Sequence, residues 1–181
     1  GGIISLRVAP SMHVTSTGKI ENSFGGVNED ETWGKPAQWC DYSGYVDGTH
    51  LGIAVLDHNT NPRHPCHWHV RNYGLFTINP FGERAYTRAA QPAKPLILVP
   101  GGKVRLRYGL FIHAGNTAQG KVAATYLDYL KLSGDGFTGA SKTDTPGKAQ
   151  PGKSRKVLEV VTKPQTALAD GLGKALTRLF D

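Results

Sequence analysis

Hydrophobic and polar positions alternate in short runs along the first 132 residues, and glycine or proline separates most of these runs. A run of this kind predicts a β-strand with one buried face. The fourth run is apolar on both faces, which is typical of a central strand, and the turn signal Asp47-Gly48 precedes it. The predicted strands cover residues 3–8, 12–16, 39–46, 50–56 and 70–79.

The clearest hairpin is predicted over residues 96–113. Residues 96–99 form its first arm, Pro100-Gly101-Gly102 its turn, and residues 103–113 its second arm. In the second arm, apolar and basic side chains fall on opposite faces, as in a half-buried strand. The apolar face carries Val104, Leu106, Tyr108 and Leu110, and the basic face carries Lys103, Arg105 and Arg107.

One helix is predicted in this part of the chain, near residues 116–131. Asn116 can cap its N-terminus, and Gln119 is the matching partner of a capping box. Apolar residues then recur at helical spacing, at Val122, Ala123, Tyr126, Leu127 and Leu130. Many strands with a single helix predict a mostly β fold, an antiparallel β-sandwich domain over residues 1–132.

The composition changes after residue 132. Residues 133–163 are rich in Gly, Pro and Lys, which predicts an extended arm without a core of its own. Residues 164–181 predict a short amphipathic helix, because Leu168, Leu172, Leu176 and Leu179 share one face. We expect residues 133–181 to bind another protein subunit, with a further apolar anchor at Val157, Leu158, Val160 and Val161.

Charge, hydropathy and cysteine content exclude several classes of protein. The net charge is +7, but no dense basic stripe or nucleic-acid motif accompanies it, so no nucleic-acid partner is expected. No apolar run approaches the roughly 18 residues of a transmembrane helix. Cys40 and Cys66 can form one disulfide, although two free thiols that behave as small hydrophobic side chains are favoured. The sequence starts without Met or a signal peptide, so we expect a processed chain or part of a longer one.

The densest group of reactive side chains lies between Asp57 and Gly82. This segment holds four of the seven histidines, two arginines and two Asn-Pro pairs. Prolines on both sides of Arg63-His64 stiffen the backbone there. A stiff backbone fixes the direction of side chains, as a binding site requires.

This segment could support either of two kinds of site, a metal-binding site or a site for acid-base chemistry. His67 and His69 would share one face of a strand, and His64 or His58 could complete a three-nitrogen zinc site. The only nearby carboxylate, Asp57, is distant in sequence, so no metal and no cofactor are expected.

The acid-base alternative is a site for a sugar or polyol. Histidine can carry protons near neutral pH, and arginine can grip a carboxylate or several hydroxyls. Trp33, Trp39 and Trp68 could stack on a sugar ring, although core packing is the favoured role for each of them.

Several motifs in this region resemble one known family. They are Trp33-Gly34-Lys35, Trp39 to Gly44, Gly52 to His58, Asn61 to Pro65, Trp68 to Arg71, Tyr73 to Phe76 and Asn79 to Gly82. Together with residues 107–115 and 126–130, they resemble the PmoA-like family, a domain family of unknown function labelled "methane oxygenase PmoA". The resemblance covers residues 1–132, which look like the C-terminal half of such a protein.

The resemblance implies a β-rich protein, often bacterial and exported, that is associated with carbohydrate use. A periplasmic or extracellular location follows from it. The methane label does not fit a sequence without transmembrane helices. The family pattern matches Asp57, His58, Asn61, Arg63, His64, Trp68, His69, Arg71 and Asn79, whereas Cys66-His67 departs from it.

Two functions remain open. The first is a structural or accessory β-sandwich subunit that is attached to a larger assembly through its C-terminal arm. The alternative is a sugar- or polyol-directed enzyme, or half of one, that uses a His/Arg cleft. Its candidate catalytic residues are His64 and His69, and its candidate substrate-binding residues are Arg63, Arg71, Asp57, Asn61, Trp68, Asn79 and His113.

Overall fold

The structure is a computed structural model that describes residues 2–90, 92, 95–132 and 159–160. Within these ranges the strands are β1 (Ile4–Arg7), β2 (Lys19–Asn22), β3 (Trp39–Val46), β4 (Thr49–Asp57), β5 (His67–Val70), β6 (Leu75–Asn79), β7 (Tyr108–Ala114) and β8 (Glu159–Val160). The helices are α1 (Asn28–Thr32), α2 (Glu83–Tyr86) and α3 (Val122–Leu132), and Pro10–Met12 forms a 3-10 turn.

The strands form two sheets that enclose a common core. The small sheet is antiparallel with the order β1-β6-β5, and the large sheet has the order β2-β3-β4-β7-β8. Only the last pair of the large sheet, β7 with β8, is parallel among the described residues. Trp68 and Phe76 of the small sheet share the core with Tyr42 and Ile53 of the large one. The predicted mostly β fold with antiparallel sheets is confirmed.

Strand β4 is buried on both faces, as its continuous apolar pattern predicts. Leu51, Ile53 and Val55 face the small sheet and belong to the main core. Ala54 and Leu56 face the opposite way, into a second apolar cluster with α3. The large sheet is therefore the middle layer of three, between the small sheet and α3.

Helix α3 starts later than the sequence predicts. Asn116 and Gln119 do form a reciprocal capping box, with backbone N–H to side-chain oxygen distances of 2.9 Å in both directions. This box closes a separate turn, because Lys121 has a φ of 53° and interrupts the helical backbone. The helix then buries Val122, Tyr126 and Tyr129, which leaves the predicted core residue Leu127 exposed.

The hairpin predicted over residues 96–113 is wrong. Within the predicted hairpin only residues 108–113 belong to a strand, and residues 96–107 pair with no strand in the described ranges. Strand β7 pairs with β4 on one edge and with β8 on the other. Where β4 and β8 both pair with β7, no edge of β7 remains free for residues 96–99. Pro95 and Pro100 flank this segment and have no backbone N–H to donate to a sheet.

Two other strand predictions need correction. The run at 12–16 is not a strand, because Pro10 starts a 3-10 turn that buries Met12, and the strand β2 follows instead. The run at 70–79 is not continuous, because it contains a chain reversal between β5 and β6. Gly74 lies in this reversal with a φ of 89°, a conformation that favours glycine.

The predicted extended arm (133–163) and C-terminal helix (164–181) lie outside the described residues, apart from Glu159–Val160. These two residues pair with Gly109 and Leu110 of β7. Part of the predicted apolar anchor therefore lies on the body of the same chain, where the sequence analysis expects another subunit.

Cys40 and Cys66 are both free and buried, so they form no disulfide. Of the helices in the described ranges, none has the length and apolar character needed to cross a membrane.

Candidate functional site

A buried carboxylate organises the loop between β4 and β5. Asp57 ends β4 on the same side as Val55, so its side chain points into the sandwich and is 0% exposed. Its Oδ1 accepts a hydrogen bond of 2.8 Å from Asn61 Nδ2. Its Oδ2 accepts one of 2.8 Å from His64 Nδ1 and one of 2.9 Å from the backbone N–H of Cys66. The carboxylate thus holds three separate points of the loop.

Hydrogen bonds to Arg107, the residue before β7, fix the shape of this loop. Asn61 Oδ1 accepts the backbone N–H of Arg107 at 2.7 Å, and Asn61 Nδ2 also donates to the Arg107 carbonyl. Within the loop, the backbone N–H of His64 donates to the carbonyl of Asn61 at 3.1 Å. Arg63 has a φ of 67°, and the His64–Pro65 peptide bond is cis. The predicted site residues Asp57, Asn61 and His64 are therefore parts of one network.

His64 is held in one orientation, and one of its two ring nitrogens has no hydrogen-bond partner among the described residues. Its Nδ1 faces the Asp57 carboxylate, which can only accept, so the Nδ1 atom carries the proton. In that tautomer the lone pair lies on Nε2, which makes no hydrogen bond to any described residue. The side chain is 14% exposed. This arrangement can take a proton from a bound hydroxyl group.

Cys66 lies beside the same carboxylate, but its thiol is not a nucleophile. Burial raises the pKa of Cys66, and the charge of Asp57 raises it further. Burial also raises the pKa of Tyr108, which faces Asp57 across the strand pair. Both groups stay protonated at neutral pH, so His64 is the group in this network that is suited to proton transfer.

The second predicted histidine lies on the outer face of the small sheet. Trp68 and Val70 of β5 point into the core, so His67 and His69 point outward and are half-buried. His69 packs edge-on against Trp33 and Tyr86, with ring centroids 6.0 Å from each. Burial lowers the pKa of His69, and the nearby charge of Arg71 lowers it further. His69 is therefore neutral at pH 7 and can both donate and accept a hydrogen bond.

Arg71 is already engaged by the protein. Its Nη1 lies 2.7 Å from Glu29 Oε1, and its guanidinium lies over the Trp33 ring at 5.6 Å. The other oxygen of Glu29 accepts the backbone N–H of Asn72 at 2.8 Å. This pair joins α1 to the turn between β5 and β6, so Arg71 has a structural partner where the sequence analysis predicts a substrate contact.

Two further predicted contacts have local partners. Trp68 is fully buried, and its Nε1 donates to the carbonyl of Ala37 at 3.0 Å, so it forms no wall of an open cleft. Asn79 ends β6, and its Oδ1 accepts the backbone N–H of Phe81 at 2.8 Å.

His113 lies in a different place, on the side of the large sheet that faces α3. Its Nε2 lies 2.9 Å from Asp41 Oδ1, and its Nδ1 lies 3.2 Å from the carbonyl oxygen of Ala114. Burial alone would lower the pKa of His113, but the hydrogen bond and charge of Asp41 outweigh it and raise that pKa. Both ring nitrogens face acceptors, which fits a protonated imidazole.

The surroundings of His113 leave no room for a ligand. A Cβ atom on Gly52 would lie 2.3 Å from its Cε1 atom, and one on Gly120 would lie 2.2 Å from its Nδ1 atom. Thr117 Oγ1 lies 2.7 Å from both Asp41 Oδ2 and Glu21 Oε2, although its single proton can go to only one of them. This second network is a polar clip between strands and a turn.

A cavity of about 440 Å³ lies near the loop that carries His64. Arg63, the neighbour of His64 in sequence, lines it together with Phe81, Glu83 and Arg84. Its remaining lining residues are apolar, and they are Pro95, Leu96, Leu98 and Val104. His64 itself is not a lining residue.

Seven of the nine predicted site residues thus divide among four places, and Trp68 and Asn79 lie outside them. Asp57, Asn61 and His64 form one network, while His69 and Arg71 share the outer face of β5 with Trp33. Arg63 lines the cavity, and His113 belongs to the polar clip. Sequence reasoning missed other residues that lie in these four places, namely Glu29, Asp41, Arg84, Tyr86 and Thr117. The aromatic and basic content of residues 81–88 was a usable signal for Arg84 and Tyr86.

In the ranges that the structure describes, no three His, Cys, Asp or Glu side chains converge as a metal site would require.

Comparison with known proteins gives a family but no activity. No curated protein and no solved structure matches the chain. A family model described as "Family of unknown function (DUF6807)" matches residues 1–127, which is most of the described part of the chain. The PmoA-like label therefore stays a prediction, and the chain belongs to this family of unknown function.

Proposed function

We propose that this protein acts on a sugar or polyol and uses His64 as the group that accepts and returns a proton. One observation carries the proposal. Asp57 is fully buried, accepts the Nδ1–H of His64, and leaves the His64 Nε2 atom without a partner among the described residues.

The physical basis is the division of work between the two side chains. A buried carboxylate bonded to Nδ1–H fixes the tautomer and the direction of an imidazole ring, and it stabilises the imidazolium that forms when Nε2 takes a proton. Asp57 is itself held by Asn61 and by the backbone N–H of Cys66. The ring therefore needs little reorganisation when a proton arrives.

The outer face of β5 has the side chains that suit a polyhydroxylated ligand. Trp33 and Tyr86 present half-buried aromatic rings beside the neutral side chain of His69. Aromatic rings favour the apolar face of a sugar, and a neutral imidazole can hydrogen-bond hydroxyls as donor or acceptor. Strand β5 begins at His67, three residues after His64, so the two groups belong to adjacent parts of one segment.

The function as an accessory subunit has less support among the described residues. It rests on residues 133–181, of which only Glu159–Val160 are described, and these pair with β7 of the same chain. We therefore place the sugar- or polyol-directed activity first. The exported location and the PmoA-like label remain expectations that accompany this proposal.

The test is a screen of sugars, polyols and their glycosides for turnover by the full chain, with products detected by NMR. We expect His64→Gln to lower turnover by about 100-fold or more, which is the usual contribution of general acid-base catalysis. The control is His50→Gln, because His50 lies at the start of β4 and stacks on Tyr45 at 4.5 Å.

Two outcomes would contradict the proposal. One is a folded His64→Gln protein that turns over substrate as fast as the His50→Gln control. The other is a panel in which no sugar or polyol is bound or consumed by the unmodified chain.

A further inference from the structure

We propose that the cavity lined by Arg63 and Arg84 is a binding site for a small carboxylate with an apolar body. This inference goes beyond the proton transfer assigned to His64 and does not depend on it. It rests on the charge, the position and the surroundings of the two guanidinium groups.

Arg63 is fixed in place but keeps donors for a ligand. Its Nη1 donates to the carbonyl of Pro80 at 3.0 Å, and its Cζ lies 5.2 Å from the centre of the Phe81 ring. These two contacts orient the planar group and use one of its five N–H donors. The remaining donors can form the paired hydrogen bonds that a carboxylate accepts.

Neither Arg63 nor Arg84 forms an ion pair with a described residue. Arg71 offers the contrast, because its guanidinium is held by Glu29 at 2.7 Å. Among the described residues that line the cavity, the charged ones are Arg63, Arg84 and Glu83, so their charges sum to +1. A site with this balance attracts a monoanion and disfavours a cation.

The other wall of the cavity selects an apolar body. Leu96, Leu98 and Val104 are 40%, 52% and 41% exposed although they are large and hydrophobic. They belong to residues 96–107, which pair with no described strand, and they line the same cavity as the arginines. Exposed apolar groups around a concave space are typical of ligand grooves, and about 440 Å³ is within the usual range for small molecules.

Three probes of the same shape separate the two requirements. They are 3-phenylpropionate, 3-phenylpropan-1-ol and 3-phenylpropylamine, each titrated into the full chain and followed by two-dimensional ¹H–¹⁵N NMR. We expect the carboxylate to shift signals of α2 and of residues 96–104. We expect the alcohol to bind at least about 10-fold more weakly, as the loss of one charged contact implies, and the amine to bind more weakly still.

Matched variants assign the effect to the arginines. Arg84→Gln is expected to weaken carboxylate binding about 10-fold and to leave alcohol binding unchanged. Arg88→Gln is the control, because Arg88 is exposed, follows α2 closely and does not line the cavity. His64→Gln is expected to bind the carboxylate as the unmodified chain does, which separates this inference from the proposed function.

The inference is overturned if the alcohol binds as tightly as the carboxylate, if Arg84→Gln behaves like Arg88→Gln, or if the shifts map away from the cavity. Absence of any shift at millimolar carboxylate overturns it as well.

Discussion

Replacing Asp57 by alanine is expected to lower the free energy of unfolding, because three hydrogen-bond donors lose the same acceptor. The carboxylate accepts hydrogen bonds from Asn61 Nδ2, from His64 Nδ1 and from the N–H of Cys66. Asn61 and Cys66 are buried, so water could not replace the carboxylate as the acceptor for their N–H groups. His64 is partly exposed and can turn to solvent.

The magnitude follows from these counts. Each buried donor without a partner costs about 1–3 kcal/mol, so the two buried donors cost about 4 kcal/mol together. Asp57→Asn keeps one acceptor oxygen and the shape of the side chain. It is therefore expected to cost about half as much, near 2 kcal/mol. Asp30→Ala is the control, since Asp30 is exposed and its change is expected to stay within about 0.5 kcal/mol.

The assay is urea denaturation at pH 7, followed by circular dichroism and by tryptophan fluorescence, with the free energy of unfolding extrapolated to zero urea. Coincidence of the two signals checks that the transition has two states. An Asp57→Ala protein within about 1 kcal/mol of the unmodified chain would refute the reasoning, because buried donors would then have found other partners.

Two further changes test the polar clip around His113. The raised pKa of His113 means that its stabilisation is complete below the ordinary histidine pKa of about 6.5 and is lost as the pH rises through the raised value. The difference in unfolding free energy between the unmodified chain and His113→Gln is therefore expected to shrink between pH 6 and pH 9 in urea titrations, and a constant difference would contradict this. Gly52→Ala places a Cβ atom 2.3 Å from His113 Cε1, so the melting temperature is expected to fall by several degrees, and an unchanged value would show that the ring moves freely.

The sequence pattern predicted the elements whose environment is encoded locally. Strand β4 is apolar at every position from 53 to 56, and a strand of that kind needs cover on both faces. The turn at Asp47-Gly48 follows from its residues, and both have positive φ angles of 49° and 76°. The prediction of a strand at residues 96–99 was wrong because a strand also needs a free sheet edge, and strand propensity does not say whether one is available.

The candidate site was located more accurately than its contacts were. Prolines and polar residues marked the loop around His64, but the carboxylate that holds it is seven positions away, at the end of a strand. The pairing of His113 with Asp41 spans 72 positions, and that of Thr117 with Glu21 spans 96. Such pairs depend on which strands become neighbours in the sheet, and the spacing of residues along the sequence does not determine the order of the strands.

The turn of residues 116–120 affects which parts of the protein can unfold locally. Through Thr117 it reaches Glu21 on β2 and Asp41 on β3, and His113 on β7 closes the same group of contacts. Helix α3 follows this turn directly, so the helix cannot leave the large sheet without breaking contacts on three strands. Amide protons of α3 and of β2, β3 and β7 should therefore exchange with solvent as one cooperative unit, with protection close to that of global unfolding.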